Sequence, residues 1–300
     1  MIEQPVENPN HKAGFVSIIG KPNVGKSTLM NRLVGERLSI ITSKAQTTRH
    51  RIMGIINSPD FQIVYSDTPG IIEPKYALHK AMMGFVYSSL EDADVILFVT
   101  DIHERYDEDD VLKKLKVITT PIILIINKID TATQEQVDEK IAYWKEHINA
   151  TEIIAISALN DFNTAGVLEH IITRIPVHPA YFDKDSLTDK SERFFAAEII
   201  REKIFLNFDK EIPYSCEVQI TEFKDEPNII RIRAEILVER DSQKGILIGK
   251  GGTALKKIGQ DARQDMEKFF QKHIFLEQHV KVEKDWRKVD KQLSRFGYRD

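Results

Sequence analysis

The chain has 300 residues, of which 42% are hydrophobic and 29% charged, and its formal net charge is −4. This composition is typical of a globular protein of about two domains, and its longest apolar runs, 95–99 and 122–126, are far too short to span a bilayer. Residues 1–12 have no apolar core, which argues against a signal peptide, and the single cysteine, Cys216, favours a reducing cytosol.

The first motif is a glycine-rich phosphate loop. Residues 20–27 lie between an apolar run at 15–19, typical of a strand, and a helical pattern at 29–34. The glycines of such a loop allow a tight turn whose backbone N–H groups surround an anion. Lys26 is expected to contact the β- and γ-phosphates, and Ser27 to ligate Mg²⁺. The predicted nucleotide contacts here are Gly20, Lys21, Pro22, Asn23, Val24, Gly25, Lys26, Ser27 and Thr28.

A second phosphate-facing motif follows a predicted hairpin. Residues 38–48 are polar and have no clear period, whereas 52–56 and 61–65 read as two paired strands. The sequence Asp67-Thr68-Pro69-Gly70 stands at the end of the second strand. A carboxylate there can hold Mg²⁺ through water, and the glycine amide can contact a γ-phosphate. All four residues are therefore predicted nucleotide contacts.

Strands and helices then alternate along the chain. Helical spacing at 78–90, 109–117, 134–147 and 165–175 separates strand-like runs at 95–100, 122–126 and 153–156. This alternation predicts an α/β domain over 13–177, with a mainly parallel sheet wound on both faces. Ligands of such sheets bind beyond the carboxyl ends of the strands, which is where each motif lies.

The base-recognition motif follows one of these strands and reads Asn127-Lys128-Ile129-Asp130. The carboxylate of Asp130 can accept hydrogen bonds from N1–H and the exocyclic amine of guanine, a donor pair that adenine lacks. Polar mismatches of this kind can discriminate by ~10⁴. Lys128 is expected to lie along the base plane, and Asn127 is expected to tie the loop together. One βα unit later, the sequence Ser157-Ala158 offers the backbone amide of Ala158 to guanine O6. The predicted ligands are GTP or GDP with Mg²⁺.

These four motifs, in this order, resemble those of translation-factor-class GTPases. The sequence Thr47-Thr48-Arg49 looks like the effector segment of the Era, EngA and MnmE branch. By that likeness Thr48 is the Mg²⁺ ligand from this segment, and the neighbouring Thr47 is the alternative. The resemblance therefore gives Ser27, Thr48 and Asp67 as the metal-binding set.

Hydrolysis is expected to be slow, because Ile71 stands where Ras-type proteins have a glutamine that orients water. The resemblance implies that Asn23 helps to hold a K⁺ ion that bridges the phosphates; the alternative is that Asn23 only stabilises the loop turn. The expected catalytic set is Lys26, Asn23 and Thr48. Arg49 and Arg51 could act as an arginine finger, but their place beside a strand favours side chains that face solvent or a partner.

A second domain is predicted beyond a linker at 178–193. A helix at 194–208, strands at 214–223 and 229–239, a helix at 253–273 and a strand at 274–283 accompany the sequence Gly249-Lys250-Gly251-Gly252. With a further helix ending at this glycine loop, the α-β-β-α-α-β order resembles a type II KH domain, a smaller α+β fold, over 194–285; a plain helix-to-helix turn is the alternative for the glycine loop. Residues 242–300 carry 14 Lys and Arg against 8 Asp and Glu, which favours a polyanionic partner. The predicted RNA contacts are Ile246, Ile248, Gly249, Lys250, Gly251, Gly252, Lys256 and Lys257.

Residues 286–300 form a basic tail in which Trp286, Phe296 and Tyr298 alternate with cations. Aromatic rings beside cations suit stacking on single-stranded RNA. A short, solvated closing helix is the alternative.

The succession of a GTPase domain and a type II KH domain resembles the Era family over about residues 12–290. That resemblance implies binding of the 3′ region of 16S ribosomal RNA, a role in maturation of the 30S subunit and peripheral contact with the inner membrane; we also expect a cytoplasmic monomer. Coupling is expected through 38–51 and 70–76, so that the GTP state favours RNA binding. Two alternatives stay open: a nucleotide-gated RNA-binding scaffold with vestigial hydrolysis, and an ATP-driven RNA enzyme, against which Asp130 argues.

Overall fold

The computed structural model describes residues 8–104 and 110–299. Within them the chain forms two compact units, the first from 8–39, 48–73, 82–104 and 110–189, and the second from 40–47, 74–81 and 190–299. Three sequence predictions fall outside the described residues: most of the extension at 1–12, the helix start at Asp109 and the end of the tail at Asp300.

The first unit is built on a sheet in the order β2-β3-β1-β4-β5-β6. All neighbouring strands are parallel except β2 and β3, which form the predicted hairpin. This arrangement confirms the mainly parallel sheet. The strands are β1 (Lys12–Ile19), β2 (Ile52–Asn57), β3 (Phe61–Asp67), β4 (Val95–Asp101), β5 (Ile122–Asn127) and β6 (Glu152–Ala155).

Helices cover both faces of this sheet. The helices are α1 (Lys26–Val34), α2 (Ala77–Glu91), α3 (Asp110–Val117), α4 (Gln134–His147) and α5 (Thr164–Arg174). One hydrophobic cluster joins α2, α3 and α4 to alternate residues of β4 and β5, such as Phe98 and Leu124. The intervening residues, such as Leu97 and Ile123, are also fully buried, and they point to the opposite face because strand side chains alternate. There α1 and α5 pack together.

The first part of the predicted linker is held against the antiparallel edge of the sheet. The backbone N–H of Ile55 donates to the carbonyl of Leu187 at 2.8 Å, and that of Met53 donates to Asp189 Oδ1 at 2.9 Å. The side chain of Gln62 donates to the carbonyl of Phe182 at 2.8 Å. Residues 182–189 therefore cover the outer edge of β2.

The second unit contains a smaller sheet in the order β7-β8-β9, antiparallel between β7 and β8 and parallel between β8 and β9. The predicted order of helix, two strands, two helices and a strand is present, with the short helices α7 and α10 in addition. These elements are α6 (Glu192–Asn207), α7 (Ile212–Ser215), β7 (Glu217–Asp225), β8 (Ile229–Val238), α8 (Asp241–Ile248), α9 (Thr253–Phe270), β9 (His273–Val282) and α10 (Asp290–Arg295).

The tail does not form the predicted aromatic platform. Trp286 and Tyr298 are buried, and Phe296 is nearly so. The indole N–H of Trp286 donates to the carbonyl of Ser215 at 3.0 Å, and the hydroxyl of Tyr298 donates to Glu217 Oε2 at 2.7 Å. The stacking prediction is wrong because these rings pack inside the unit around α10 and are not available to stack on RNA. In the described ranges, no helix combines the length and apolar character needed to cross a membrane.

Candidate functional site

The phosphate loop joins β1 to α1 with a backbone that excludes larger residues at two points. Gly20 has a φ of 152°, and a Cβ there would lie 2.1 Å from the carbonyl oxygen of Val99. Gly25 has a φ of 98°, and a Cβ there would lie 2.1 Å from Asn127 Nδ2. The loop therefore packs directly against the ends of β4 and β5. Asn23 also adopts a positive φ, of 64°, which asparagine tolerates better than most residues.

Lys26 lies beneath this loop with its ammonium group turned towards backbone carbonyls. Its Nζ donates to the carbonyl of Gly20 at 3.1 Å and to that of Lys21 at 2.9 Å. Burial lowers the pKa of Lys26 to about 8, although the charges of Asp67 and Glu104 act in the opposite direction. A phosphate group in the loop would supply the negative charge that this buried ammonium lacks.

Three oxygen-bearing side chains, those of Ser27, Thr48 and Asp67, meet beside the first turn of α1. Ser27 Oγ donates to Asp67 Oδ2 at 2.6 Å and lies 2.9 Å from Thr48 Oγ1. Burial raises the pKa of Asp67, opposed by the Ser27 hydrogen bond and the charge of Lys26. Asp67 Oδ1 is buried and has no hydrogen-bond partner among the described residues. Two hydroxyls and a carboxylate are hard oxygen ligands, so the donor set fits Mg²⁺ completed by phosphate and water.

Thr47 points elsewhere than its neighbour Thr48. Its hydroxyl donates to the carbonyl of Lys44 at 2.6 Å and lies 2.6 Å from Thr42 Oγ1. Of the two candidate threonines, Thr48 is thus the one beside Ser27. Nowhere in residues 8–104 and 110–299 do three His, Cys, Asp or Glu side chains group as a metal site.

The segment after β3 lies alongside the phosphate loop. A Cβ on Gly70 would lie 2.7 Å from the ring of Pro22, and the backbone N–H of Ile71 donates to the carbonyl of Gly20 at 3.0 Å. The Thr68 hydroxyl donates to the carbonyl of Ile18 at 2.8 Å. The side chain of Ile71 is only 7% exposed and belongs to the hydrophobic core. It therefore has neither the chemistry nor the position to orient a water molecule.

Asn127 connects three of the predicted loops through one side chain. Its Nδ2 donates to the carbonyl of Val24 at 2.8 Å, and its Oδ1 accepts from the backbone N–H of Ala158 at 3.0 Å and of Lys128 at 2.8 Å. The phosphate loop, the base motif and the 157–158 loop are thus fixed relative to one another. Asp130 is exposed in the 3₁₀ turn Ile129–Thr131 at the same end of β5.

Several positioning contacts were not predicted from the sequence. Arg32, in the last turn of α1, donates to the carbonyls of Ala158 at 3.3 Å and Leu159 at 3.0 Å. Lys128 pairs with Asp101 at 2.5 Å, and Lys21 pairs with Glu104 at 3.3 Å. Arg32, Asp101 and Glu104 belong to none of the predicted motifs, so only the three-dimensional fold brings them to the site.

The two arginines after Thr48 do not face solvent as expected. Arg49 is fully buried. Arg51 pairs with Asp92 at 2.6 Å and donates to Ser66 Oγ at 3.0 Å. The prediction of solvent- or partner-facing side chains is wrong, because both arginines have internal partners.

In the second unit, a glycine loop joins α8 to α9. Gly249, Gly251 and Gly252 have φ values of 73°, 61° and 78°, so the backbone turns in a region that favours glycine. A Cβ on Gly249 would lie 2.8 Å from the Cβ of Ala254. Lys250 is exposed between them, and Ile246 is 49% exposed on α8. The other predicted contacts are Ile248, which packs partly against the core, and the exposed Lys256 and Lys257, of which Lys257 pairs with Asp261 at 2.9 Å.

Comparison with protein families gives two matches. A family described as 50S ribosome-binding GTPase matches residues 15–128, and a family described as KH domain matches residues 211–287. Each match contains the loop described above for its unit.

Comparison with individual proteins extends the likeness over nearly the whole chain. GTPase Era of Syntrophus aciditrophicus is 47% identical over 293 residues, covering 96% of this chain and 96% of that protein. A solved structure of an Aquifex aeolicus Era variant bound to GDP·AlF₄⁻ has a TM-score of 0.92 and 42% identity, covering 96% of this chain and 99% of that chain. A structure of Era in complex with MgGDPNP and nucleotides 1506–1542 of 16S ribosomal RNA matches with the same TM-score, identity and coverage.

Proposed function

The chain belongs to the Era family of GTPases, and on that premise we propose that its second unit binds the 3′ region of 16S ribosomal RNA under control of the nucleotide in its first. In this proposal the chain acts in maturation of the 30S subunit. Its first unit binds GTP with Mg²⁺ and hydrolyses it to GDP and phosphate.

The observation that carries the proposal is the convergence of loops on Asn127. One buried amide fixes Val24 of the phosphate loop and Ala158 of the last loop to the end of β5. In the proposed complex the nucleotide's phosphates lie over Lys26 and its base lies beside Asp130. The related Era structures, which hold GDP·AlF₄⁻ or MgGDPNP, support this placement.

The roles of the individual side chains follow from their positions. Lys26 neutralises charge on the β- and γ-phosphates, and Ser27, Thr48 and Asp67 hold Mg²⁺ directly or through water. When bound, Mg²⁺ neutralises phosphate charge in the transition state. The carboxylate of Asp130 selects guanine, with Lys128 along the base and the amide of Ala158 at O6.

Turnover is slow without help in this proposal, because Ile71 is packed in the core and cannot hold the attacking water. In this proposal the side-chain amide of Asn23 would help to hold a K⁺ ion, which would supply additional positive charge to the phosphates. Lys26, Asn23 and Thr48 are then the groups of this chain that act on the reacting phosphates.

The RNA site is the glycine loop with its neighbouring lysines. Three glycines with positive φ let the backbone approach a sugar-phosphate chain, and Lys250 adds a positive charge beside it. The exposed Ile246 offers an apolar surface for a base. The Era complex that contains 16S nucleotides supports this RNA as the partner.

Nucleotide control is proposed to pass through 40–47 and 74–81, which are part of the second compact unit. The Lys44 ammonium donates to the carbonyl of Phe205 at 2.6 Å at the end of α6 and pairs with Asp209 at 2.8 Å. The guanidinium of Arg287 lies over the ring of Tyr76, 5.1 Å from its centroid. The first segment leads directly into Thr48, a proposed Mg²⁺ ligand, and the second begins four residues after Gly70, a proposed γ-phosphate contact. The GTP state is therefore proposed to favour RNA binding.

The test is a crosslinking map of bound 16S RNA under GTP and under GDP, with Lys250→Glu as the variant. Lys224→Glu, an exposed charge reversal at the β7–β8 hairpin, is the control. We expect crosslinks near the glycine loop that are stronger with GTP than with GDP. These crosslinks should be lost in Lys250→Glu and kept in Lys224→Glu. Equal RNA affinity in both nucleotide states would contradict the proposed control, and turnover near zero with RNA and K⁺ present would favour a scaffold with vestigial hydrolysis.

The proposal also includes a cytoplasmic monomer that contacts the inner membrane only peripherally. Cell fractionation and sedimentation of the purified protein test these points separately from RNA binding. Recovery in the membrane fraction that resists salt washing would contradict peripheral contact.

A further inference from the structure

One polar side chain interrupts the apolar inner row of strand β9. Alternate side chains of a strand point to the same face. In β8 every residue of the inner row is apolar, and in β9 the row is apolar except at Gln278, which pairs in register with Ala234. The apolar members are Ile230, Ile232, Ala234, Ile236 and Val238 on β8, and Ile274, Leu276, Val280 and Val282 on β9.

The side-chain amide of Gln278 is incompletely satisfied. Its Oε1 is buried and has no hydrogen-bond partner within the described part of the chain. Its Nε2 is packed against α9, because a Cβ on Gly259 would lie only 2.2 Å from that nitrogen. A buried carbonyl oxygen without a partner destabilises a protein, so such exceptions call for a reason beyond folding. Leucine in the same place would complete the apolar row.

The position of Gln278 relates it to the glycine loop. Strand β9 is at the edge of the sheet order β7-β8-β9, and both α8 and α9 pack on it. Gly259, which contacts the amide, is six residues after Thr253, the first residue of α9, or about 9 Å along the helix. Gln278 as a residue is only partly buried on this edge strand, so a rotation of its side chain would present the amide oxygen to a base of a strand held at residues 249–252.

We propose that Gln278 is a base-reading residue, whose Oε1 accepts a hydrogen bond from the exocyclic amino group of a base in the bound strand. The inference rests on the proposed function, because it assumes that the glycine loop holds RNA. An amide oxygen accepts from the amino groups of adenine, cytosine or guanine, and uracil has no such group. Gln278 therefore selects an amino-bearing base at one position of the RNA.

The experiment removes one amino group at a time from an RNA that covers the 16S nucleotides of the Era complex. Adenine is replaced by purine, guanine by hypoxanthine and cytosine by pyrimidin-2-one. Dissociation constants are measured for the full chain and for Gln278→Leu. At one position we expect removal of the amino group to weaken binding to the parent protein about five- to tenfold, and to leave Gln278→Leu unaffected.

A second variant moves the amide without removing it. Gly259→Ala would place a methyl group where the Gln278 amide now lies, and it should abolish the same discrimination. Both variants should fold and keep the parent's GTP turnover. Gln278→Leu should be at least as stable as the parent protein, because it removes a buried oxygen without a partner, and in Gly259→Ala the flexible end of Gln278 is the group that must shift.

Equal losses in the parent protein and in Gln278→Leu at every position would overturn the inference. So would coupling of Gln278 to a keto group instead of an amino group. Failure of the proposed function gives a different result, because the parent protein would then bind none of these RNAs and Lys250→Glu would change nothing.

Discussion

The guanidinium of Arg201 donates a hydrogen bond to the backbone carbonyl of Thr47, the residue before Thr48. Arg201 is on α6 and is only 1% exposed. Its other bonds go to Glu198, at 2.7 Å from Nε to Oε1 and 2.5 Å from Nη2 to Oε2. Burial alone would lower the pKa of Arg201, but the Glu198 carboxylate raises it above its ordinary value. A charged, rigid donor therefore fixes the segment that leads into Thr48.

Arg201→Met should destabilise the second unit by about 3–5 kcal/mol, because it leaves the Glu198 carboxylate buried without a partner. Glu198→Leu combined with Arg201→Met removes both charges and should recover most of that loss. Urea unfolding followed by Trp286 fluorescence in a Trp144→Phe background measures this stability.

The Glu198→Leu, Arg201→Met double variant separates the effect of Arg201 on stability from its effect on the segment that leads into Thr48. It lacks the donor to Thr47, so we expect its affinity for GTP with Mg²⁺ to fall about tenfold, or about 1.4 kcal/mol. If the stable double variant bound nucleotide like the parent protein, the Arg201 contact would have no role in placing Thr48.

The buried Lys26 predicts a pH dependence for the nucleotide-free protein. Its pKa is about 8 in the folded chain, against 10.5 ordinarily, because burial disfavours the ammonium. Below pH 8, Lys26 is protonated in both the folded and the unfolded chain. Between pH 8 and 10.5 it is protonated in the unfolded chain but has largely lost its proton in the folded chain. The free energy of unfolding should therefore rise through this window, by up to about 3 kcal/mol relative to Lys26→Met.

Nucleotide binding should reverse this proton loss. Phosphate charge beside Lys26 favours the ammonium, so GTP binding at pH 9 should take up close to one proton. Calorimetry in buffers of different ionisation enthalpy measures the uptake. Lys26→Met binds weakly but should show none, and an uptake that survives the substitution would assign it to another group.

Local motifs and strand periodicity predicted the parts of the site that are contiguous in sequence. The phosphate loop, Asp67 and Asn127 could be placed because each follows an apolar strand, and parallel strands end at one edge. Arg32 and Asp101 could not, because their partners are far away in sequence and the residues themselves fit an ordinary helix turn or strand end.

The tail shows why composition was misleading. Aromatic residues alternating with cations suit either an RNA platform or a short helix packed on one side. The distinction depends on whether Ser215 and Glu217 lie beneath Trp286 and Tyr298, which is a tertiary fact. Strand β9 itself was predicted. The special position of Gln278 was not, because it depends on the register with β8 and on the apolar inner row that the two strands share.

Asp130→Asn should change base specificity. Loss of the carboxylate removes two charge-assisted hydrogen bonds to guanine, so GTP affinity should fall at least about 100-fold. An asparagine amide matches xanthine instead, since it donates to the C2 carbonyl and accepts from N1–H. Xanthosine triphosphate should therefore bind the variant better than GTP does, in a direct competition assay.

Asp138→Asn is the matched control, because Asp138 is an exposed carboxylate on α4 in the same unit. It should leave GTP affinity unchanged. Preference of the parent protein for ATP, or an Asp130→Asn variant that still favours GTP, would refute the assigned role.

Trp286→Ala should act on stability and not on RNA stacking. The fully buried ring leaves a large cavity when removed, at a cost of about 3–5 kcal/mol to the second unit. The fraction that remains folded should bind RNA with the parent affinity. Arg295→Gln, an exposed change in the same tail, should alter stability by no more than about 0.5 kcal/mol. A variant that stayed fully stable but lost RNA would restore the platform interpretation.

Asn23 gives a sharp test of ion dependence, because its two roles can be separated. Its φ of 64° is also open to glycine, so Asn23→Gly keeps the loop turn and removes only the side-chain amide. The parent protein should hydrolyse GTP faster in KCl than in NaCl at equal ionic strength, and Asn23→Gly should lose that difference while it still binds GDP. If Asn23→Gly retained the full K⁺ effect, the amide would be needed only for the turn. Equal rates of the parent protein in the two salts would exclude K⁺ from the reaction altogether.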